Sequence, residues 1–566
     1  MGLFHQKRLV CIFYLLVILF LPLVFHLGVI QLVHGNEYKL RALEQGSIRV
    51  SLEEIPRGRV LDRHGIDSLT QGQREPRVVV FPEIIQAKEE ASLLLSQVIR
   101  REPEELFRYL NGEAGFLPFA LTKGQVRQIQ ELNILGLMVQ EIDYRYGPKP
   151  LAAHVIGHLG PISDRSLLER LNNLEGKQYK LSDLIGKSGL EYFYEGVLKA
   201  GEPVSMVRAH VDVYRNLIAG LGIKKEEDRD TGRQDLITTL DGEIQRAVEE
   251  VMDRRVERGA VVIMDARNGD LLAMASRPNF NPGNVALSLP GDHDTFLDHC
   301  TALYQPGSIF KVVVAAAALE EGMVKPSDTF VCLGEHDHLV RCWHKPGHGP
   351  ITFEEAFAQS CNPVFAELGL KLGAEKLITY AKAFGLESQK IIGYPVSRDP
   401  RQDLDLIGKP YSLVNSSIGQ GPVLTTPVQL TAMINVIVNG GMYIEPRLVK
   451  ELRAENGQTS RHFSLGNSHK VISSETAREL KRLLGLVTTQ GVGKEAGIQS
   501  YGSAGKTGSA ELAGNTDRVN AWFCGFAPME SPKYIVTVLV EEGVSGGLTA
   551  APVFREILEA ILDHPH

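Results

Sequence analysis

Cysteine is scarce in this chain, six in 566 residues at positions 11, 300, 332, 342, 361 and 524. They are too few and too scattered for a disulfide-built scaffold. Tryptophan occurs only twice, and 60 lysines and arginines against 68 aspartates and glutamates leave a formal charge of -8. No basic stretch is interleaved with aromatic residues, so a nucleic acid is excluded as the expected partner; a phosphate backbone is held by a clustered positive face. Polar residues are nearly absent from Leu9 to Val33, where only His26, Gln31, Pro22 and Gly28 interrupt an apolar run. A bilayer span takes roughly 20 residues. A signal peptide would have a shorter apolar region ending in a small-x-small site, which Val33-His34-Gly35-Asn36 does not supply, so an uncleaved anchor over 9–33 is expected. Lys7 and Arg8 suggest a cytoplasmic tail over 1–8, although Lys39 and Arg41 reduce the charge asymmetry.

What the chain does have is length for a large core in two or three domains. Residues 37–222 read as a mosaic of short strands and helices with no catalytic constellation, a pedestal or docking region. The charged run Lys224 to Gly232 marks a linker over 223–234. A second domain, 235–566, opens with a strand at Leu236–Leu240. Asp241 is the expected N-cap of a helix with Ile244, Val248, Val251 and Met252 on one face. Asn268-Gly269 predicts a two-residue hairpin turn with both positions at positive φ. Val519–Phe526 and Tyr534–Val540 make a second hairpin pattern, and a last helix carries Phe554, Ile557, Leu558, Ile561 and Leu562 on one face. The fold class is α/β in content, of the α+β kind.

Three short motifs follow in order inside that second domain: Ser308-Ile309-Phe310-Lys311, Ser360-Cys361-Asn362 and Lys506-Thr507-Gly508, the last continued by Ser509. A serine hydroxyl needs a base to become a nucleophile, and on a helix a lysine three residues on lies on its face. The first pattern alone is weak, because Ser503-Ala504-Gly505-Lys506 also satisfies it; the ordered triple carries the weight. Pro306-Gly307 leads into Ser308, and Val312–Leu319 is apolar on every side, so Ser308 is expected at the N-terminus of a buried central helix, where free N–H groups favour an oxyanion. Thr352 and Glu355 form a capping box. Asn362-Pro363 predicts a cap followed by proline at the first helical position, which places Ser360 and Asn362 in a tight interhelix turn. Lys506–Ser509 reads as a strand whose glycines admit close approach.

In that order and setting the motifs resemble the penicillin-recognising serine transferases and hydrolases. Arg57-Gly58-Arg59-Val60-Leu61-Asp62-Arg63-His64-Gly65 and Gly186-Lys187-Ser188-Gly189-Leu190-Glu191 resemble the non-catalytic motifs of class B penicillin-binding proteins, and Cys342-Trp343 followed by Gly347-His348-Gly349 resembles their elongation-type branch. The resemblance implies a transmembrane helix, an elongated pedestal of the dimerisation type, and a transpeptidase domain with a five-stranded antiparallel sheet and an all-α subdomain. It implies a serine D,D-transpeptidase and carboxypeptidase of the inner membrane, acting outside it on stem peptides ending in D-Ala-D-Ala during wall elongation, and a target of β-lactams. By the same resemblance Ser308 is the nucleophile, Lys311 its base and Ser360 a proton relay. Asn362 holds the peptide and orients Lys311, Lys506 and Thr507 bind the terminal carboxylate, and the N–H groups of Ser308 and Ser509 form the oxyanion hole. Burial and the second cation Lys506 are both expected to lower the pKa of Lys311. The implied partner is a glycosyltransferase of the SEDS type.

Other functions on this fold compete. A β-lactamase needs a way to deacylate with water, and no Glu-x-x-Leu-Asn segment lies between Asn362 and Lys506. A bifunctional glycosyltransferase has no room between Glu37 and Gly65. A division-type transpeptidase, a β-lactam-sensing receptor and a wall-binding scaffold are the remaining alternatives. Arg57, Asp62 and Arg63 are expected to form a buried ion-pair network. Cys332, Cys342, His348 and Cys361 combine thiolates and an imidazole in the number a closed structural zinc site requires; His336, His338 and His344 are rival imidazoles. Elongation-type relatives carry zinc at matching places. The alternative is a Cys332–Cys342 disulfide with Cys361 as a small buried residue.

Overall fold

The computed structural model describes residues 2–38, 41, 46–173, 178–201, 203–218, 220–227, 232–288, 293–395, 402–512 and 515–563. Lys39 and the middle of the charged linker, 228–231, lie outside the described residues. The chain divides into two units that interleave along the sequence: Met1–Pro56, Arg74–Tyr144 and Glu202–Arg229 form one, and Arg57–Gln73, Arg145–Gly201 and Asp230–His566 the other.

The first unit begins with a helix over Gly2–Gly28 that continues as a π-helical stretch, Val29–Val33. Arg8–Val33 has a mean hydropathy of 2.7 over its most apolar window and is long and apolar enough to cross a membrane. Two antiparallel three-stranded sheets follow, one of Ser47–Ser51, Ser205–His210 and Ile223–Glu227, the other of Gly115–Phe116, Arg74–Val80 and Leu137–Asp143. Strand alternation divides the apolar residues of Arg74–Val80 between two cores. Val78 and Val80 face one that includes Leu95 and Ile129, while Val79 faces another with Val50, Ile142 and Val207.

The second unit takes in two stretches that a linear reading leaves in the pedestal. Val60, Leu69, Leu151, Val155, Leu190 and Leu198 are buried in the same core as the central helix, and Val60–Leu61 pairs in parallel with Gln234–Thr238. Apolar burial, rather than sequence order, sets this boundary. At its heart Glu191, fully buried, accepts from Arg57 Nε at 3.0 Å, from Arg145 Nε at 2.6 Å and from the Tyr146 hydroxyl at 3.0 Å, while Arg57 Nη1 lies 2.9 Å from Glu195 Oε2. Burial pushes the Glu191 pKa up, but Arg145 and then Arg57 outweigh it and hold the carboxyl below its usual range. The expected Arg57, Asp62 and Arg63 network is thus correct only for Arg57. Asp62 spends its carboxylate on its own turn, accepting from the N–H groups of His64, Ile66 and Asp67, and Arg63 stands 3.9 Å from Asp241.

The strands of the central sheet, numbered within this unit, are β1 Gly259–Asp265, β2 Leu271–Arg277, β3 Ala504–Leu512, β4 Asn515–Ala527 and β5 Tyr534–Gly543, in the order β2-β1-β5-β4-β3 with every pairing antiparallel. The helices that matter here are α1 Gly242–Arg255, α2 Lys311–Glu320, α3 Phe353–Ala358, α4 Asn362–Leu372, α5 Pro427–Val438, α6 Ser474–Thr489 and α7 Ala551–Leu562. Asp241 caps α1 as expected, its Oδ1 accepting from Glu243 N at 3.1 Å. The stripe of α1 and the face of α7 share one core against one side of the sheet, with Ile244, Val248, Phe554 and Ile557 fully or nearly buried. The other side carries the wholly helical part, whose centre is α2.

The β1–β2 turn departs from expectation. Gly269 has φ +76°, but Asn268 does not take a positive φ, and Gly269 N–H donates to Asp265 O across a longer loop. Asp265 accepts from the N–H of Arg267, and the register shifts at Ile263/Met264, which together absorb the two extra residues.

Candidate active site

Ser308 sits in a 3-10 turn, Gly307–Phe310, that runs directly into α2. Gly307 adopts φ +54°, and a Cβ there would lie 3.0 Å from the Ser509 backbone, so this turn touches β3. Gly508 completes the fit, since a Cβ on it would lie 2.6 Å from Pro306 O. The serine itself is half-buried.

Lys311 opens α2 and is fully buried. Its Nζ donates to Asn362 Oδ1 at 2.7 Å, to Ser360 O at 2.8 Å and to Ser360 Oγ at 3.3 Å, over the Phe365 ring at 5.5 Å. Lys506, also fully buried, donates to the same Ser360 hydroxyl at 2.9 Å from β3. Ser360 is held at φ +55°, a conformation uncommon for a residue with a side chain, between α3 and α4. The capping box of Thr352 and Glu355 forms at the start of α3. Asn362, expected as a cap, is instead the first residue of α4, with Cys361 at the N-cap position making no side-chain cap bond. The reason lies in its side chain, which is committed to Lys311 through Oδ1 and to Arg341 O through Nδ2 at 3.0 Å.

Two ammonium groups cannot both be charged cheaply around one buried hydroxyl. Burial lowers the Lys311 pKa to about 7, with the Cys361 and Cys342 thiols pushing it back up. Burial, and then the Lys311 charge, drive Lys506 well below the lysine range. The expected effect of Lys506 on Lys311 is therefore borne by the other partner: Lys506 yields to Lys311.

Strand geometry orients β3. Its Thr507 and Ser509 carbonyls accept from Lys506 Nζ and Gln420 Nε2, both at 3.4 Å, away from β4. Since N–H and C=O of one strand residue point to the same side, the Ser509 N–H faces the nucleophile turn. The structure thus joins Lys311, Ser360, Asn362 and Lys506 by hydrogen bonds, and it sets the turn that carries Ser308 against Gly508 and Ser509 of the strand that also holds Lys506 and Thr507. Sequence reasoning overlooked the strip Ile418 to Thr425, which bonds both to Gly307 and to Ser509; its clue in the sequence is the glycine pair Gly419 and Gly421, both at positive φ in the structure.

Beside the interhelix turn, Cys332, Cys342, His348 and Cys361 bring their ligand atoms within 4.8 Å of one another. Thr329–Cys332 pairs with Gly349–Thr352, which sets Cys332 opposite Gly349, and Gly347, at φ +83°, would carry a Cβ only 2.5 Å from Cys332 O. All three thiols are free, and Cys342 Sγ lies 3.5 Å from His348 Nδ1. A hydrogen bond from Cys361 and the backbone N–H of His344 hold the Cys342 pKa down to about 5 against its burial, while sharing that bond and burial push Cys361 up. Metal–sulfur bonds of about 2.3 Å in a tetrahedron place sulfurs just under 4 Å apart, so the four residues fit one zinc ion. His336 and His338, 84% and 81% exposed, point elsewhere, and the His344 ring lies against that of His348 at 5.0 Å. The loop is stitched to the turn, for Trp343 Nε1 donates to Gln359 O at 2.9 Å and Arg341 O accepts from Asn362.

A buried lysine pair meeting on a serine, beside a second serine at the head of a buried helix and an edge strand of a five-stranded sheet, defines a serine acyl-transfer enzyme of the penicillin-recognising fold. Residues 259–559 match the family of the penicillin-binding protein transpeptidase domain, and residues 53–234 the penicillin-binding protein dimerisation domain. The chain belongs to this family, in its class B arrangement. Stage V sporulation protein D of Bacillus subtilis is 30% identical over 98% of this chain and 85% of its own length. The peptidoglycan D,D-transpeptidase MrdA of Acinetobacter baumannii is 25% identical over 95% of this chain and 86% of its own. A chain of a solved peptidoglycan synthase complex superposes with a TM-score of 0.72 at 23% identity, covering 98% of both chains.

Proposed function

We propose that this protein is an elongation-type peptidoglycan D,D-transpeptidase. The observation that carries the reading is the convergence of Lys311 and Lys506 on Ser360 next to Ser308. Neutral Lys311 takes the proton of Ser308 Oγ as that oxygen attacks the carbonyl carbon of the penultimate D-alanine. The N–H groups of Ser308 and Ser509 hold the oxyanion. The C–N bond then breaks, a proton passes through Ser360 to the leaving amine, and D-alanine departs, leaving an ester on Ser308. An amine of a neighbouring stem peptide attacks the ester, forms the new amide and returns the proton to Ser308. Lys506 and Thr507 receive the terminal carboxylate, and Asn362 holds the peptide while steering Lys311. The MrdA relative favours elongation; the sporulation relative is consistent with the same chemistry.

Exposed to benzylpenicillin, the full chain in detergent is expected to form a stable one-to-one adduct that mass spectrometry maps to the peptide containing Ser308. An adduct retained in Ser308→Ala would rule the mechanism out.

The apolar helix is read as a single-pass anchor in the cytoplasmic membrane, N-terminus inside, with the catalytic unit outside and a SEDS-type polymerase as neighbour; the synthase-complex relative supports the last point. A reporter fused after His566 should be active only on the outer side, and activity inside would reverse the topology.

Cys332, Cys342, His348 and Cys361 would hold one zinc ion, which supplies structural cross-linking: four protein ligands leave no open position for catalysis. Protein purified without added metal should contain about one zinc per chain. Its removal should lower both melting temperature and acylation, because the loop is tied to Gln359 and Asn362. Metal-free protein with a Cys332–Cys342 disulfide and full acylation would refute the site.

A further inference from the structure

The strip Ile418 to Thr425 runs as a splint along the residues that precede Ser308. Tyr304 and Thr425 exchange two backbone hydrogen bonds, of 2.9 and 2.8 Å, Gln305 Nε2 donates to Gly421 O at 2.8 Å, and Gly307 N–H donates to Gly419 O at 3.0 Å. Gly419 is at φ +74°, and a Cβ there would lie 1.8 Å from Gly307 O, so only glycine allows the approach. The next residue reaches the opposite way: Gln420 Nε2 donates to Ser509 O at 3.4 Å. One dipeptide is therefore tied both to the turn that carries Ser308 and to the strand that carries Ser509, the two sources of oxyanion donors.

We propose that Gln420 is a positioning residue for acyl transfer, its side-chain amide fixing the Ser509 backbone so that the N–H groups of Ser308 and Ser509 meet the same oxygen. The inference rests on the acyl-transfer reading. The N–H and C=O of Ser509 leave the strand by the same edge, so a donor that holds the carbonyl from that side fixes how far this stretch of β3 stands from the Ser308 turn, and stabilisation of an oxyanion falls steeply when a donor leaves the range of about 2.7–3.1 Å. The contact is made to a backbone carbonyl and not to a charged group, so the effect is geometric: what matters is a donor of this length. Gln420→Glu keeps the shape but presents an acceptor to a carbonyl oxygen, and Gln420→Ala removes the contact.

The test uses the full chain in detergent and benzylpenicillin labelled with carbon-13 at the β-lactam carbonyl. Stopped-flow kinetics separate the pre-covalent Kd from the acylation rate constant, and infrared difference spectra give the ester carbonyl stretch, which falls as the oxyanion hole polarises it. Both variants are expected to acylate roughly tenfold more slowly, with Kd and melting midpoint within about twofold and a few degrees of the parent, and with the ester stretch shifted to higher frequency. Acylation at the parent rate with an unshifted stretch would overturn the proposal. So would a joint fall in rate, affinity and melting midpoint, which would make Gln420 a scaffold residue only. Failure of the parent chain itself to form a Ser308 adduct would instead overturn the acyl-transfer reading.

Discussion

Lys311→Ala is expected to slow acylation by about a hundredfold to ten-thousandfold, the range for loss of a positioned base, while the protein stays folded. The side chain lies in a fully buried pocket where its cation is disfavoured, and its pKa is lowered to about 7. The sign of the pH dependence follows. Lys311 is active when neutral, so the acylation rate of the parent should be level above about pH 7 and fall about tenfold per unit below it. In Lys311→Ala that limb should vanish together with most of the rate. Stopped-flow acylation from about pH 5.5 to about pH 9 decides the matter, and a parent profile flat through neutrality would remove Lys311 from the proton transfer.

The largest loss of stability is expected from Glu191→Ala. That carboxylate is fully buried between Arg57 and Arg145, and its removal leaves the Arg145 guanidinium without a carboxylate inside the core and Arg57 with Glu195 alone. Breaking a buried pair from one side costs about 3–5 kcal/mol. The melting midpoint of the variant should drop by several degrees or the chain should fail to accumulate. Glu191→Gln, which still accepts hydrogen bonds, should fall between, and an unchanged midpoint in both would show that the arginines find other partners.

Much of this was legible before any coordinates, for a physical reason. Helix caps, apolar stripes and the ordered triple of motifs are local, and local chemistry is written in consecutive residues: Asp241, the Thr352 capping box and the stripe of α1 formed where expected. What local pattern missed was decided by distant competition. Asn362 has the residue type of a cap but gives its side chain to Lys311 and Arg341 O. Asn268-Gly269 has the composition of a two-residue turn, but Asp265 and a register shift widen the loop. The strip at Gly419 and Gln420 is invisible until Gly307 and Ser509 are seen on either side of it.

The interleaving of the two units sets the order in which this chain can become a protein. A ribosome that has reached Gly222 has already released Val60, Leu69 and Leu151, yet the strand that pairs with Val60–Leu61 and the helix at the centre of their core have not been made. Those apolar side chains must wait in the open until the later half of the chain arrives. A nascent chain of this kind is most vulnerable midway through its synthesis, and truncation at the charged linker would leave the earlier half without the surface it was built to meet.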